Sequence, residues 1–389
     1  MAHTTLLALA LLAAHILPTQ AVYNIARDYS GHQFFALFDY YGNIGDVYYL
    51  DQPDATSDHL AYVSSSGTAI VKVDNSSTVA LGGKRNSIRL TSKDAYPVGS
   101  LFIIDALHLP FGCSVSRDFK FSSLMTADVP KGLARSMDDG RTMADIWSEM
   151  TQNEMVIHTR PGCTKTTPQT QTSKSIESTD CSTASGCVVQ ESAANSYGAN
   201  FAQAGGGVWA MQFDVSGINI WFWRSTSESA IDISTWGNPS AQFPSATCNM
   251  QKYFGAQKIV VDITLCGVWA GANSTYRATC PSAGTTGICN INNVIGSGEQ
   301  YDDAYFEFNY IRGYTMDGVS IFSTESQNYS SPSAITTVES VPYQTGISTP
   351  GTTPTSTSRK KSAALPRSAV SVLGLVAGLV LPALGTAWL

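Results

Sequence analysis

Ten short runs of β-branched and aromatic residues, separated by clusters of Gly, Asn, Asp and Ser, limit what this chain can fold into. They include HQFFALFDYY, TAIVKVD, NSIRLTS, SLFIIDALHL, EMVIHT, GVWAMQFD, INIWFWRS, KIVVDITL and AYFEFNYIRGY, all between residues 30 and 315. Successive side chains of a strand point to opposite faces. INIWFWRS therefore puts Ile218, Ile220, Phe222 and Arg224 on one face and Asn219, Trp221, Trp223 and Ser225 on the other. Helical periodicity is nearly absent. Many short strands with turn signals between them predict an all-β fold, a two-sheet sandwich.

The ends of the chain read differently. Residues 1–21 carry an apolar run, Leu6 to Leu17, then Pro18 and small residues at the exit, the pattern of a secretory signal. The sandwich is expected over 22–320, followed by a stalk over 321–361, because half of Ser323–Ser358 is Ser or Thr with Pro scattered through it. Such a segment buries too little apolar surface to offset its chain entropy. Residues 362–389 form an apolar tail with no basic flank after it, which predicts a glycosylphosphatidylinositol signal rather than a spanning helix.

A secreted, cell-surface or cell-wall location is therefore expected, with a membrane contact through a lipid anchor or the tail. Eight cysteines (Cys113, Cys163, Cys181, Cys187, Cys248, Cys266, Cys280 and Cys289) predict disulfides in that compartment, with the pairing left open. Asn75, Asn273 and Asn328 lie in glycosylation sequons. With 14% charged residues and a net charge of −7, nothing supports neutralisation of nucleic-acid phosphates. No histidine pair has metal-ligand spacing, so no cofactor is expected; a structural calcium held by backbone carbonyls and an Asp would leave little trace.

Specific blocks go further. FFALFDYYGN, KRNSIRLTSKDAYPVGSLFIIDALHLPFGC, MTQNEMVIHTRPGC, SYGANFAQAGGGVWAMQFDVSGINIWFWR and STWGNPSAQFPSATCNMQKYFGAQKIVVDITLCGVWAG, closed by AYFEFNYIRGY, resemble the fungal, laminarinase-type branch of glycoside hydrolase family 16, in the same order. The resemblance covers roughly 27–315. It implies a concanavalin A-like β-jelly roll with a concave carbohydrate cleft, acting on β-1,3 or mixed β-1,3/1,4 glucans with retention; a monomer is expected. Retention needs two carboxyl groups about 5 to 5.5 Å apart, one as nucleophile and one as acid and then base.

The family presents them on one strand as ExDxxE, with a bulge absorbing the extra residue. Here the motif is not intact. Aligning the aspartates puts Met143 at the nucleophile, Asp145 at the orienting Asp and Ser148 at the acid/base. Counting back from His158 puts Asp145 at the acid/base and Gly140 at the nucleophile. Read locally, DIWSE puts Asp145, Trp147 and Glu149 on one strand face, like the unbulged ExDxE variant with Asp as the first acid. The segment is either divergent or misread. Shifted by one base, codons for Asp139–Ala144 permit Trp-Pro-Asn-Asp-Gly, matching the turn that precedes the motif in the family.

Asp145 and Glu149 are thus the candidate catalytic pair. Trp209, Trp221, Trp223, Trp269 and His158 lie in matching blocks and are candidate substrate contacts. The expected function is a β-glucanase impaired by its broken motif. The alternatives are a glucan-binding pseudoenzyme and a structural wall glycoprotein.

Overall fold

Alternation builds layers because each strand has one apolar side to hide. The computed structural model describes residues 22–323 except 41–46, 124–141, 150–151, 167, 169, 177, 225–232, 268–269 and 281–285. The strands are β1 (Tyr23–Ser30), β2 (Phe38–Tyr40), β3 (Val47–Tyr49), β4 (Ala61–Val63), β5 (Ala69–Lys72), β6 (Arg85–Ser87), β7 (Arg89–Ser92), β8 (Ser100–His108) and β9 (Val115–Ser123). They continue with β10 (Thr142–Glu149), β11 (Gln152–Ile157), β12 (Lys174–Ile176), β13 (Cys187–Gln190), β14 (Gly207–Asp214), β15 (Gly217–Arg224), β16 (Ala241–Pro244), β17 (Gln257–Leu265) and β18 (Tyr305–Met316).

One sheet, called A, runs β16-β15-β14-β8-β18-β5-β4, with β1 also on β18; the other, B, runs β12-β13-β11-β10-β9-β17-β7-β2. All these pairings are antiparallel, and β3 with β6 forms a separate parallel pair. The architecture is the two-sheet sandwich that the alternation predicts and the β-jelly roll that the family resemblance implies.

The inner sides of the sheets meet in one core. Phe102 of β8 lies 4.3 Å from Phe121 of β9, and Phe119 of β9 lies 6.1 Å from Phe308 of β18, ring centre to ring centre across the layers. From β15 the core takes Ile218, Ile220 and Phe222, the face expected from alternation; from β17 it takes Ile259, Val261, Ile263 and Leu265.

Two expectations from the sequence need adjustment. HQFFALFDYY is not a continuous strand: Gly31–Gln33 and Phe35–Leu37 are short 3-10 turns, and only Phe38–Tyr40 pairs. The turns let Phe34 and Phe35, adjacent in sequence, both reach the interior, which a strand would forbid. Conversely β1, polar in sequence, is a full strand because it pairs with β18 along Tyr23–Ser30.

All eight cysteines pair: Cys113–Cys280, Cys163–Cys248, Cys181–Cys187 and Cys266–Cys289. The first two join residues 167 and 85 apart in sequence. Closing loops of that size restrains the unfolded chain by about 4–5 kcal/mol each in the chain-entropy picture.

Candidate active site

β10 carries the candidate acids, and its register with its neighbours assigns their positions to a face of the sheet. It meets β11 in an unbroken ladder, Asp145 opposite Val156, Trp147 opposite Glu154 and Glu149 opposite Gln152. Met155 and Ile157 of β11 are in the inter-sheet core. Val156 and Glu154 therefore take the outer side, and directly opposed residues share a face. On the other flank Asp145 is opposite Lys120, while Phe119 and Phe121 on either side of Lys120 are core. Both flanks put positions 145, 147 and 149 on the outer face of sheet B.

The one irregularity lies upstream. Between Thr142 and Asp145 the pairing with β9 shifts by a residue, whereas Asp145–Glu149 is regular against β11. The register is that of the unbulged reading, with the two acids four positions apart.

The row through Asp145 crosses five strands: Val260, Lys120, Asp145, Val156 and Val188. The three valines are buried, so the ionisable positions sit on an apolar floor. One row along, Asp262 is buried and lies 3.3 Å from Arg89 and 3.8 Å from Lys120. Arg89 thus anchors a carboxylate. Lys120 and Asp262 are additions that sequence reasoning missed, although a lone acid in the apolar run KIVVDITL is a visible signal. Burial of an ion pair costs desolvation, and two cations on one carboxylate offset it.

His158 follows β11 and is half-buried. Its ring packs on Gly186, where an added Cβ would come within 2.9 Å of Nδ1. Thr159 N–H donates to the Cys181 carbonyl, 2.9 Å, so the Cys163–Cys248 and Cys181–Cys187 bridges hold the chain where it leaves the sheet.

The tryptophans are placed elsewhere. Trp209 is 1% exposed and lies between the sheets, 4.4 Å from Phe222; it is a core residue, because its parity on β14 points inward. Trp221 and Trp223 do share a face, as alternation requires, but it is the outer face of sheet A, the far side of the sandwich from β10. They cannot line a site with Asp145 and Glu149. Trp269 and Asn328 lie outside the described residues, as do residues 1–21, nearly all of the Ser/Thr-rich segment and the apolar tail. Asn75 donates to Asp302 Oδ1 (2.7 Å), and exposed Asn273 accepts from Arg277 (2.8 Å). Among the described residues no group of three His, Cys, Asp or Glu is arranged to hold a metal ion, and no helix is long and apolar enough to cross a membrane.

Known proteins share this fold and this order of blocks. The profile of the XgeA-like, catalytic domain of glycoside hydrolase family 16 matches residues 32–314. The chain belongs to glycoside hydrolase family 16. Among family 16 structures, an elongating β-1,3-glucosyltransferase is 31% identical, with 76% of this chain and 100% of that chain covered and a TM-score of 0.67. Laminarinase 16A from Phanerochaete chrysosporium, solved with β-glucans in both donor and acceptor sites, is 27% identical over 75% of this chain and 99% of its own, TM-score 0.65.

A probable glycosidase of Schizosaccharomyces pombe is 32% identical over 69% of this chain and 64% of its own length. The endo-1,3(4)-β-glucanase xgeA of Emericella nidulans is 27% identical over 76% of this chain and 48% of its own. The chain thus spans about half to two thirds of the length of these two relatives.

Proposed function

We propose that this family 16 protein acts on β-1,3 or mixed β-1,3/1,4 glucans at the outer face of sheet B, with Asp145 as nucleophile, Glu149 as acid/base and hydrolysis strongly reduced. The observation that carries the reading is the unbroken Asp145–Glu149 ladder on the strand whose neighbours turn those positions outward. Four residues of strand separate the two Cα atoms by about 13 Å. Retention requires the two carboxyls within about 5 to 5.5 Å of each other. Asp at the first position is one methylene short, which withdraws its carboxyl by about 1.5 Å. That is enough to cost on the order of 100-fold.

Position 145, opposite Lys120 in the register, is the one we assign to the nucleophile. Position 149, opposite Gln152 in the register, is the one we assign to the acid/base. The protein is proposed to be secreted and lipid-anchored, on the composition of its two ends.

Reducing-end release from laminarin and lichenan tests the activity. Slow release that Glu149→Gln abolishes is expected. No release, with glucan binding retained, would turn the reading to a glucan-binding pseudoenzyme. Sequencing the transcript across Cys113–Met150 tests the reading frame: a message encoding Trp-Pro-Asn-Asp-Gly before the acids would replace Asp145 and Glu149 with an intact motif.

A further inference from the structure

The outer face of sheet A carries a strip that the catalytic reading does not use. Its register row is Trp223, Val208, Asp105 and Tyr310, across β15, β14, β8 and β18. Trp223 and Tyr310 are half-buried, so each ring keeps some surface in water. Three strand spacings put their backbones about 14 Å apart. Both rings are held before any ligand arrives. Trp223 meets Trp236 edge-on at 5.0 Å, and the Arg312 guanidinium lies 3.8 Å from the Tyr310 ring centre while Nε donates to Asp28 Oδ2 at 3.1 Å. Fixing side chains in advance lowers the ordering cost of binding.

Between the rings the row holds one apolar and one acidic residue, both half-buried. Val208 packs against the Trp221 and Trp236 cluster, and the Asp105 carboxylate accepts from Asn309 Nδ2 at 3.0 Å. Arg312 is matched by Asp28, so this pair gives the strip little net pull on a charged ligand. Aromatic rings with a carboxylate and an amide between them suit a neutral polyhydroxyl chain, whose C–H faces stack while its hydroxyls hydrogen-bond.

We infer that the outer face of sheet A is a second glucan-binding surface, engaging roughly three successive sugar rings along the row from Trp223 to Tyr310 and tethering the protein to polymer while the outer face of sheet B works on a separate strand. It rests on the glucan reading above.

Depletion isotherms of the full-length protein on insoluble β-1,3-glucan particles, with mannan particles as control, test it. Trp223→Ala combined with Tyr310→Ala is expected to weaken particle binding roughly tenfold or more, as truncation of aromatic anchors does. Binding of soluble laminaritriose at the sheet B face should stay unchanged. Val208→Arg, which changes the row between the rings without removing a packed ring, keeps the test meaningful if the double variant melts. Particle binding unchanged in both variants overturns the second surface and leaves the glucan reading standing. Wild-type protein that binds neither particles nor laminaritriose removes the glucan reading and the surface with it. A dimer in sedimentation that Val208→Arg dissociates, with particle affinity unaltered, assigns the strip to self-association instead.

Discussion

The two outer faces of the sandwich obey the same alternation and carry opposite chemistry. On sheet B the outward positions include Lys120, Asp262, Arg89 and the acids of β10; on sheet A they include Trp221, Trp223, Tyr310 and Tyr314. Among the described side chains, the Asp262 carboxylate with Arg89 and Lys120 marks the first face, and a cluster of rings beside the Arg312–Asp28 pair marks the second. Hydrolysis of a glycosidic bond needs carboxylates, so the ionic face is where chemistry can occur. Stacking needs rings, so the aromatic face is where a polymer can be held. The contrast shows that a shared strand face, read correctly from sequence, does not say which side of the molecule it belongs to.

The contrast can be broken most forcefully at Trp221, which is 5% exposed, donates from Nε1 to the Gly237 carbonyl at 3.1 Å and meets Trp236 edge-on. Trp221→Ala is expected to destabilise the protein by about 3–5 kcal/mol in denaturant unfolding. A loss below about 1 kcal/mol would mean the aromatic face is not packed as described. On the ionic face, Asp262→Ala strands two cations, Arg89 and Lys120. Both keep some contact with water, which sets the expected cost near the lower end of the range for a broken buried pair, about 3 kcal/mol.

Asp145→Glu sharpens the division of labour. Restoring the missing methylene should raise laminarin hydrolysis by roughly 10- to 100-fold, with particle binding through sheet A unchanged. An unaltered rate would remove Asp145 from the nucleophile role.

The smallest effect lies off both faces, at Lys165. Burial holds its ammonium down to about 8, and its Nζ donates to two neutral oxygens, the Thr166 carbonyl and Gln171 Oε1. Between that value and the unfolded 10.5 the unfolded chain binds a proton the folded chain has released, so this group's contribution to stability rises with pH across the window. Tyr23 and Tyr314, both pushed up to about 12 by burial, act in the opposite sense above pH 10, where the unfolded chain ionises first. Unfolding free energies at pH 8 to 9.5 should therefore climb less steeply in Lys165→Met than in the wild type.

Much of the fold was legible because alternation is local. INIWFWRS, KIVVDITL and GVWAMQFD sort into inward and outward residues from spacing alone, and the structure uses those parities. HQFFALFDYY was not legible as turns, because two adjacent buried Phe look the same in a strand buried on both faces. β1 was not legible because a polar strand is recruited by its partner, β18, rather than by its own pattern. At the site, DIWSE lies on a strand, β10, paired along Asp145–Glu149 with β11. The pairing of Lys120 with Asp262, from strands over 140 residues apart in sequence, lies outside any local rule.

By itself the sequence determined an all-β chain, four disulfides' worth of cysteines, the resemblance to family 16 and the loss of its ExDxxE motif. Tertiary structure alone decided that Trp209 is core and that Trp221 and Trp223 stand on the side opposite Asp145 and Glu149. The physical reason is that a period of two fixes only whether neighbouring side chains agree or differ in direction. Which direction is inward, and in which sheet, depends on strand pairings between distant segments, such as β14 with β8 and β10 with β9, and on the one core that both sheets must share.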